Sequence, residues 1–471
     1  MNDSTENLSS QWVSGYSETK KSKALVANPE SIENCISIIK YSIKHHVSIC
    51  PRGGGFTYYD MILNDDNLIL DVTKMNKILD WSRDSGQITV QPGVTFADIF
   101  LTCLKDNWTL NSCPGGMLVT VGGAISNNVH GKDAWKYGNF GNQIIKLKLL
   151  TASGDVLVLD RLKDKVTFDA VVGGMGLLGI IVEATIQLRK VPSPFVQVST
   201  EVLNNSDEVI DCIESAKLNS DFIVSWNDGF SEDSELGRGY VVTGKWIEAD
   251  RTNVPEKRFK KALERPTRIF GVIPAKPFWF MARPMFMPWS IKQVNKLHYN
   301  LAKQKIIYSK TNKQLFTEYN FMHNKIPDIR NVYRPHGFFE FEPIIPFKAG
   351  ADAVNEVFHI CRKHGCQPLV SAIKAHKEED NIISYAGDGY SIGLVIQAKN
   401  RDRDQVENFS KDLFNHTINC GGRDYLAKNE FINREIFQKM YPRYKEFIDI
   451  KEKLDPTTIF SSNMFNRLFR C

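Results

Sequence analysis

The chain has 471 residues, with 59 Lys and Arg against 54 Asp and Glu; the formal charge of +5 is a weak bias without a polybasic tract, so no nucleic-acid partner is expected. With 42% hydrophobic and 24% charged residues it reads as a globular protein of two or three domains, which excludes a disordered, collagenous or coiled-coil chain. The most apolar stretch, 171–186, is broken by glycines and Glu183, the start MNDSTENLSSQ is too polar for a secretory leader, and nine cysteines lie scattered without a CxxC pair; neither a membrane span nor a disulfide framework is expected, and the cytoplasm is the expected location.

Residues 1–23 read as a polar tail. Ile32, Cys35, Ile36, Ile39 and Ile43 then recur at helical spacing behind Ser31, which predicts a helix over 29–46. A short apolar run, 47–50, empties into Pro51-Arg52-Gly53-Gly54-Gly55, the pattern of a strand ending in a tight loop. Strands are predicted over 68–72 and 87–91, and a helix over 96–105. Glycine then concentrates at Gly115, Gly116, Gly122, Gly123, Gly131, Gly138 and Gly141, beyond what packing alone asks. Two β-branched segments, 144–151 and 180–188, close this half, and Pro192 and Pro194 mark a boundary. Beyond it, 222–246 is aromatic and strand-like, while 257–305 mixes basic and large apolar residues with prolines. Strands over 338–345 and 391–396, a helix over 351–364 and a helical stretch over 429–454 complete an α+β alternation suited to a cap over a site.

Two motifs match a function by their letters and lose it by their context. Gly174-Met175-Gly176-Leu177-Leu178-Gly179, with Glu201 downstream, fits a dinucleotide fingerprint, but that loop must open a helix and 180–186 is β-branched. His359, Cys361, His364 and Cys366 fall in a predicted helix, where side chains two positions apart diverge, so a convergent metal site is not expected. Nucleophile elbows and Walker loops are absent. What remains is the glycine. Arg52 to Asp60 presents successive backbone N–H groups without Cβ obstruction, as phosphate-cradling nests do. Together with Gly115, the Thr120 to Gly123 stretch and the Asn127 to Gly131 stretch it suggests either a long ligand laid along backbone or a set of tight turns.

The order RGGGFTYYD, PGGMLVTVGGAISNNVHGKDAWKYGNFGNQI, VVGGMGLLGII resembles the FAD-linked oxidases of the vanillyl-alcohol oxidase type over most of the first 190 residues. More narrowly, HGK with GNFGNQI, and GGRDYLAKN with MYPRYKEFIDIKEKLDPTTIFSSNM, are similar to the family of the decaprenylphosphoryl-β-D-ribose 2'-epimerase oxidase subunit, over nearly the whole chain and least in its middle third. The resemblance implies a two-lobed α+β fold: a PCMH-type FAD-binding domain over 24–194, a separate α+β substrate (cap) domain over 195–421, and a C-terminal segment, 422–471, returning to the first lobe. It implies that Arg52, Gly53, Gly54, Gly55, Phe56, Thr57 and Tyr58, with Tyr59 and Asp60, wrap the FAD pyrophosphate. Gly115, Thr120, Val121, Gly122, Gly123, Asn127, Asn128, His130 and Ile181 would line the rest, and Tyr425 would return from the C-terminus to touch it. Covalent aldonolactone oxidases carry a flavin-bonding histidine in the first glycine loop; Phe56 follows Gly55 here, so non-covalent FAD is expected.

Lys428, in the matching YLAK, is the first catalytic candidate, implied near the reactive end of the flavin as an anchor for a hydroxyl or phosphate oxygen and, if desolvated, as a base. His130 is the second, supporting the flavin or the substrate. Tyr58, Tyr333, Glu342, Lys374 and Lys428 align with substrate positions. Glu342 stands where relatives tend to have glutamine, and Gly393 where mycobacterial relatives place a cysteine. The implied reaction moves a hydride from a secondary sugar alcohol to flavin N5 and the hydroxyl proton to a base or water. The substrate would be a sugar or polyprenyl-phosphoryl sugar, and a short-chain NAD(P)H reductase partner would complete an epimerisation in cell-wall or glycan biosynthesis. The alternatives are an aldonolactone oxidase or dehydrogenase and a flavin-binding scaffold without turnover. The segment 269–289, with Phe278, Trp279, Phe280, Phe286 and Trp289 beside Lys276 and Arg283, suits a lipid phosphate, a peripheral membrane contact or a buried core.

Overall fold

The structure, a computed structural model, describes residues 8–248, 254–264, 266–269, 272–305, 311–321, 326, 329–399 and 401–470. Residues 1–7 of the expected tail, Phe270 and Gly271 of the aromatic segment, and Cys471 lie outside the described residues.

Ile32–His45 forms the expected first helix: the Ser31 hydroxyl accepts from the Asn34 N–H, and Cys35, Ile38, Ile39 and Ser42 turn inward. Its apolar stripe shares a core with Ile49, Leu68 and Leu70 of a four-stranded sheet, ordered Ser9–Ser14, Lys21–Ala27, Leu68–Asp71, Ile49–Arg52. The first of these corrects the expectation of a tail through residue 23, because Ser9 to Ser14 pair antiparallel with Lys21 to Val26. This edge strand is held by its backbone, and its two apolar residues, Trp12 and Val13, are adjacent, so there is no apolar alternation to read.

A five-stranded antiparallel sheet follows, ordered Ile78–Ser82, Gln87–Val90, Ile180–Gln187, Ile144–Leu150, Val156–Asp160. The glycine motif at 174–179 thus opens the strand Ile180–Gln187 and not a helix. The third sheet is the largest among the described residues: Thr311–Leu315, Phe195–Leu203, Gly239–Trp246, Phe222–Asn227, Val370–His376, Gly389–Gln397, Pro343–Pro346 and Arg423–Asp424, with Phe338–Phe341 on the other half of Gly389–Gln397. The stretch expected as one strand over 338–345 is therefore two, flanking Glu342 in a single register, Phe341 opposite Leu394 and Ile344 opposite Ser391.

Side chains alternate across this sheet. Phe341, Ile373, Ile392 and Leu394 are buried with the helices Gly350–Lys363 and Arg403–Asn419, Phe341 meeting Phe409 with ring centroids 5.1 Å apart. Glu340, Glu342, Lys374, His376 and Ser391 consequently share the opposite face. The helical stretch expected over 429–454 is split into Arg434–Met440 and Tyr444–Leu454. The Asn429 side-chain oxygen accepts the N–H groups of Phe431 and Ile432, which delays the start, and Pro442 has no N–H to carry the helix on.

The chain end then returns to the first sheet, the Ile49 N–H donating to Ile459 O at 2.6 Å and the Ser461 N–H to Ile49 O at 2.9 Å. Buried Lys451 locks this return, donating to Leu177 O at 2.8 Å, Phe460 O at 2.9 Å and Asp455 Oδ2 at 2.6 Å. No helix among the described residues is long and apolar enough to cross a membrane. Removing the carboxylate in Asp455→Ala would leave a buried ammonium unpaired, with an expected loss of about 3 to 5 kcal/mol, to be read as a lowered denaturant midpoint against wild type.

Candidate active site

The polar face of the third sheet meets the first lobe at Glu342, which has no solvent exposure. Lys428 Nζ lies 2.7 Å from Glu342 Oε2 and 2.5 Å from Glu340 Oε1, and Lys374 Nζ lies 3.1 Å from Glu342 Oε1. His130 Nε2 faces Glu342 Oε2 at 3.5 Å, and the Ser391 hydroxyl donates to Oε1 at 3.2 Å. Burial alone would raise Glu342, but Lys374, Lys428 and His130 outweigh it and hold the carboxyl well below its usual range. Lys428 behaves in the converse way: burial favours the neutral amine, yet Glu340 and Glu342 hold its pKa well above the ordinary lysine value. Of the two roles left open for Lys428, anchor or base, this favours the anchor, since the two carboxylates favour the ammonium form.

His130 is driven the other way. Burial lowers its pKa to about 4, against the pull of Glu342, so the ring is neutral near pH 7. Its Nδ1 is buried without a hydrogen-bond partner, as are His376 Nδ1 and the Tyr385 hydroxyl. The three rings form one cluster, His130 lying 4.7 Å from His376 and 5.6 Å from Tyr385 between centroids. Tyr425 stacks 4.5 Å from Tyr385 and donates its hydroxyl to Asn127 O at 2.7 Å, tying the C-terminal segment to the glycine-rich loops.

Those loops pack backbone against backbone. A Cβ on Gly53 would stand 2.2 Å from Thr120 Oγ1, and the Gly54 N–H already donates to that hydroxyl at 3.2 Å. Gly55 adopts φ +72°, and a Cβ there would stand 2.3 Å from the Arg52 guanidinium, which Asp71 holds at 3.1 Å. Among the described residues the N–H groups of Gly55, Phe56 and Thr57 donate to no protein acceptor.

Of the residues expected from the sequence, the structure brings together Lys428, His130, Glu342, Lys374 and Tyr425, with Tyr58 at their edge, the Lys428 ammonium 5.4 Å from its ring centroid. Tyr333 stands one layer out: Phe338 separates it from the cluster, 4.9 Å from Tyr333 and 5.8 Å from Tyr58. Several cofactor candidates are engaged by protein. Asn128 donates to Glu379 at 2.7 Å and accepts from the Gly141 N–H at 2.9 Å. The Val121 N–H donates to Val94 O and the Gly122 N–H to Pro92 O, each at 2.9 Å. Ile181 lies in the apolar core opposite Leu149. Gly115 and Gly123 are half-buried, and a Cβ on Gly53 would stand 3.6 Å from the Gly123 nitrogen. Sequence reading missed Glu340, His376, Ser391 and Tyr385; for Glu340 and His376 a signal existed, since each stands two positions from an identified site residue in a strand. The His359 to Cys366 group does not converge: His359 is exposed and His364 pairs with Asp412 at 2.8 Å.

The fold and this site define an FAD-dependent oxidoreductase. Residues 23–160 match the family model of the FAD binding domain, and residues 246–468 match that of D-arabinono-1,4-lactone oxidase. The chain belongs to the FAD-linked oxidases that join these two parts. It is 28% identical over 432 residues to the decaprenylphosphoryl-beta-D-ribose oxidase of Mycolicibacterium smegmatis, covering 89% of each chain. It is 24% identical over 456 residues to the L-gulonolactone oxidase of Bos taurus, covering 94% of each. With the D-arabinono-1,4-lactone oxidase of Candida glabrata it shares 26% identity over 215 residues, 45% of this chain and 40% of that one.

The residues present fit FAD. The 53–57 loop leaves amide donors without protein partners against a wall that a Cβ would fill, as an approaching pyrophosphate requires, and the neighbouring Asn127 Oδ1 and His130 Nδ1 are buried without partners. Arg52 to Tyr58, Thr120, Gly123, Asn127 and Tyr425 would hold it. Gly53→Ala is expected to force the two loops apart and lower flavin affinity at least tenfold, read as flavin content after purification and by titration with added FAD.

Beside the cluster, burial pushes Asp424 up to about 8, opposed by its hydrogen bond from Asn429. An unfolded aspartate titrates near about 4, so the folded state keeps a proton that the unfolded state releases, and stability falls as pH rises between these values. Asp424→Asn lacks this loss; its stability relative to wild type is expected to climb from pH 5 to 8, by at most about 1.4 kcal/mol per pH unit, in paired denaturation curves.

Proposed function

We propose that the chain oxidises a secondary hydroxyl of a sugar, with non-covalent FAD, and that the sugar is carried on a polyprenyl phosphate. Bound FAD supplies the acceptor for the two electrons and the hydrogen of the C–H bond. The observation that carries the reading is His130, whose Nε2 faces Glu342 and whose Nδ1 is buried without a partner, beside Lys428 paired with Glu340 and Glu342. Glu342 facing Nε2 favours the proton on that nitrogen, leaving the Nδ1 lone pair to take the hydroxyl proton. Lys428 holds the hydroxyl oxygen, and Glu340 and Glu342 keep it charged while it does so. The two ammonium groups, Lys428 and Lys374, are balanced by the two carboxylates, so the pocket suits a neutral polyhydroxylated ring; an anionic phosphate would stay outside, toward Tyr58 and Tyr333. The name of the mycobacterial relative supports a polyprenyl-phosphoryl pentose, and a short-chain NAD(P)H reductase acting on the ketone product would complete an epimerisation. A second reading, oxidation of an aldonolactone, is favoured by the match of residues 246–468.

Anaerobic titration with polyprenyl-phosphoryl pentose and with aldonolactones separates the two: bleaching of the flavin band by the first alone is expected, and bleaching by lactones alone would replace the first reading with the second. Acid precipitation is expected to leave the flavin in solution. His130→Gln is expected to lower kcat by about 10² to 10⁴-fold. In the wild type the acid limb of kcat/KM should fall near pH 4, where His130 protonates, and not near the usual histidine value. Lys428→Met is expected to raise KM and reduce kcat together while flavin content is kept.

A further inference from the structure

Positive charge is unevenly placed along the chain. Residues 265–317 contain ten Lys and Arg and no Asp or Glu, although the whole chain carries 54 acidic residues and a net charge of only +5. In the middle of this stretch the helix Ala275–Ala282 turns Ala275, Trp279 and Ala282 inward, one helical stripe. They join a cluster with Val332, Tyr333 and Phe338, against which Tyr58 packs. The opposite side and the turn that follows are bare: Phe280, Met281, Met285 and Trp289 are 66%, 72%, 51% and 73% exposed. Scattered exposed apolar side chains need no explanation, but four large ones within ten positions, on and just after a helix whose other side is buried, do. Cations surround them. Lys276 stands one turn before Phe280, and the Arg283 guanidinium lies 4.9 Å over the Phe280 ring. Lys276 and Lys296 make no salt bridge among the described residues, whereas Lys292 is taken up by Glu232 at 2.6 Å.

We propose that this segment docks on an anionic lipid bilayer, with Phe280, Met281, Met285 and Trp289 entering the headgroup region and Lys276, Arg283 and Lys296 meeting lipid phosphates. Apolar tips ringed by cations with no carboxylate among them are the pattern of an interfacial helix; protein interfaces are depleted in lysine at their centres, and a partner protein would have to bury these ammonium groups. The inference rests on this segment alone and stands whichever sugar is the substrate. If the lipid-linked reading is also right, docking turns the Tyr58 and Tyr333 end of the site toward the membrane.

The test is co-sedimentation of the full-length holoprotein with vesicles of phosphatidylcholine, and with vesicles containing about one third phosphatidylglycerol. Wild type is expected to sediment with the anionic vesicles, several-fold less so when salt is raised, and to remain largely in the supernatant with phosphatidylcholine. A Phe280→Ser/Trp289→Ser variant is expected to bind at least tenfold more weakly, and a Lys276→Gln/Lys296→Gln variant, which leaves the apolar residues in place, several-fold more weakly; flavin content and thermal midpoint show that both are folded. Wild type staying in the supernatant, equal binding to both vesicle types, or both variants sedimenting like wild type would overturn the proposal.

Discussion

The site depends on one constraint: a carboxylate, Glu342, with no access to water. Taking such a group out of water costs several kcal/mol unless charges and hydrogen bonds replace the solvent. Lys374 arrives from the strand Val370–His376, Ser391 from Gly389–Gln397, His130 from the glycine-rich loops of the first lobe, and Lys428 from the C-terminal segment. Four separate parts of the chain thus answer one buried charge, and the compensation is complete only when the two lobes and the returning C-terminus are closed on each other. The same partners set the chemistry, since two carboxylates hold Lys428 as an ammonium while burial keeps the resting His130 neutral and able to accept a proton.

Backbone contact is the second determinant. The loops around Gly53 and Thr120 approach so closely that a methyl group would not fit, and the following amides, of Gly55, Phe56 and Thr57, have no protein partner among the described residues. Tyr425, donating to Asn127 O, links the cradle to the cluster around Glu342. The parts matched by the two family patterns, at 23–160 and 246–468, are thus joined by this hydrogen bond.

Much of the fold was legible. Helical spacing behind Ser31 located Ile32–His45, and β-branched runs located Ile144–Leu150 and Ile180–Gln187, because these elements bury one face and their residues say so. Legibility failed where stability comes from backbone or from distant partners. Ser9–Ser14 is an edge strand without apolar alternation, and the split at Pro442 lies inside the stretch expected as one helix. The helices Ser206–Ala216 and Arg403–Asn419 and the strand Val370–His376 were not anticipated either. In the site, motif order pointed to His130 and Lys428, while Ser391 and Tyr385 carry no local signature.

By itself, then, the sequence showed glycine loops placed for close backbone approach, and its resemblance to FAD-linked oxidases implied the flavin and the α+β cap and pointed to Lys428 and His130. Only the tertiary structure decided the state in which those two residues rest: a lysine held as an ammonium by two carboxylates and a histidine held neutral by burial. Protonation depends on burial and on charges from residues hundreds of positions apart, such as His130 and Glu342, and no local pattern records which side chains will meet.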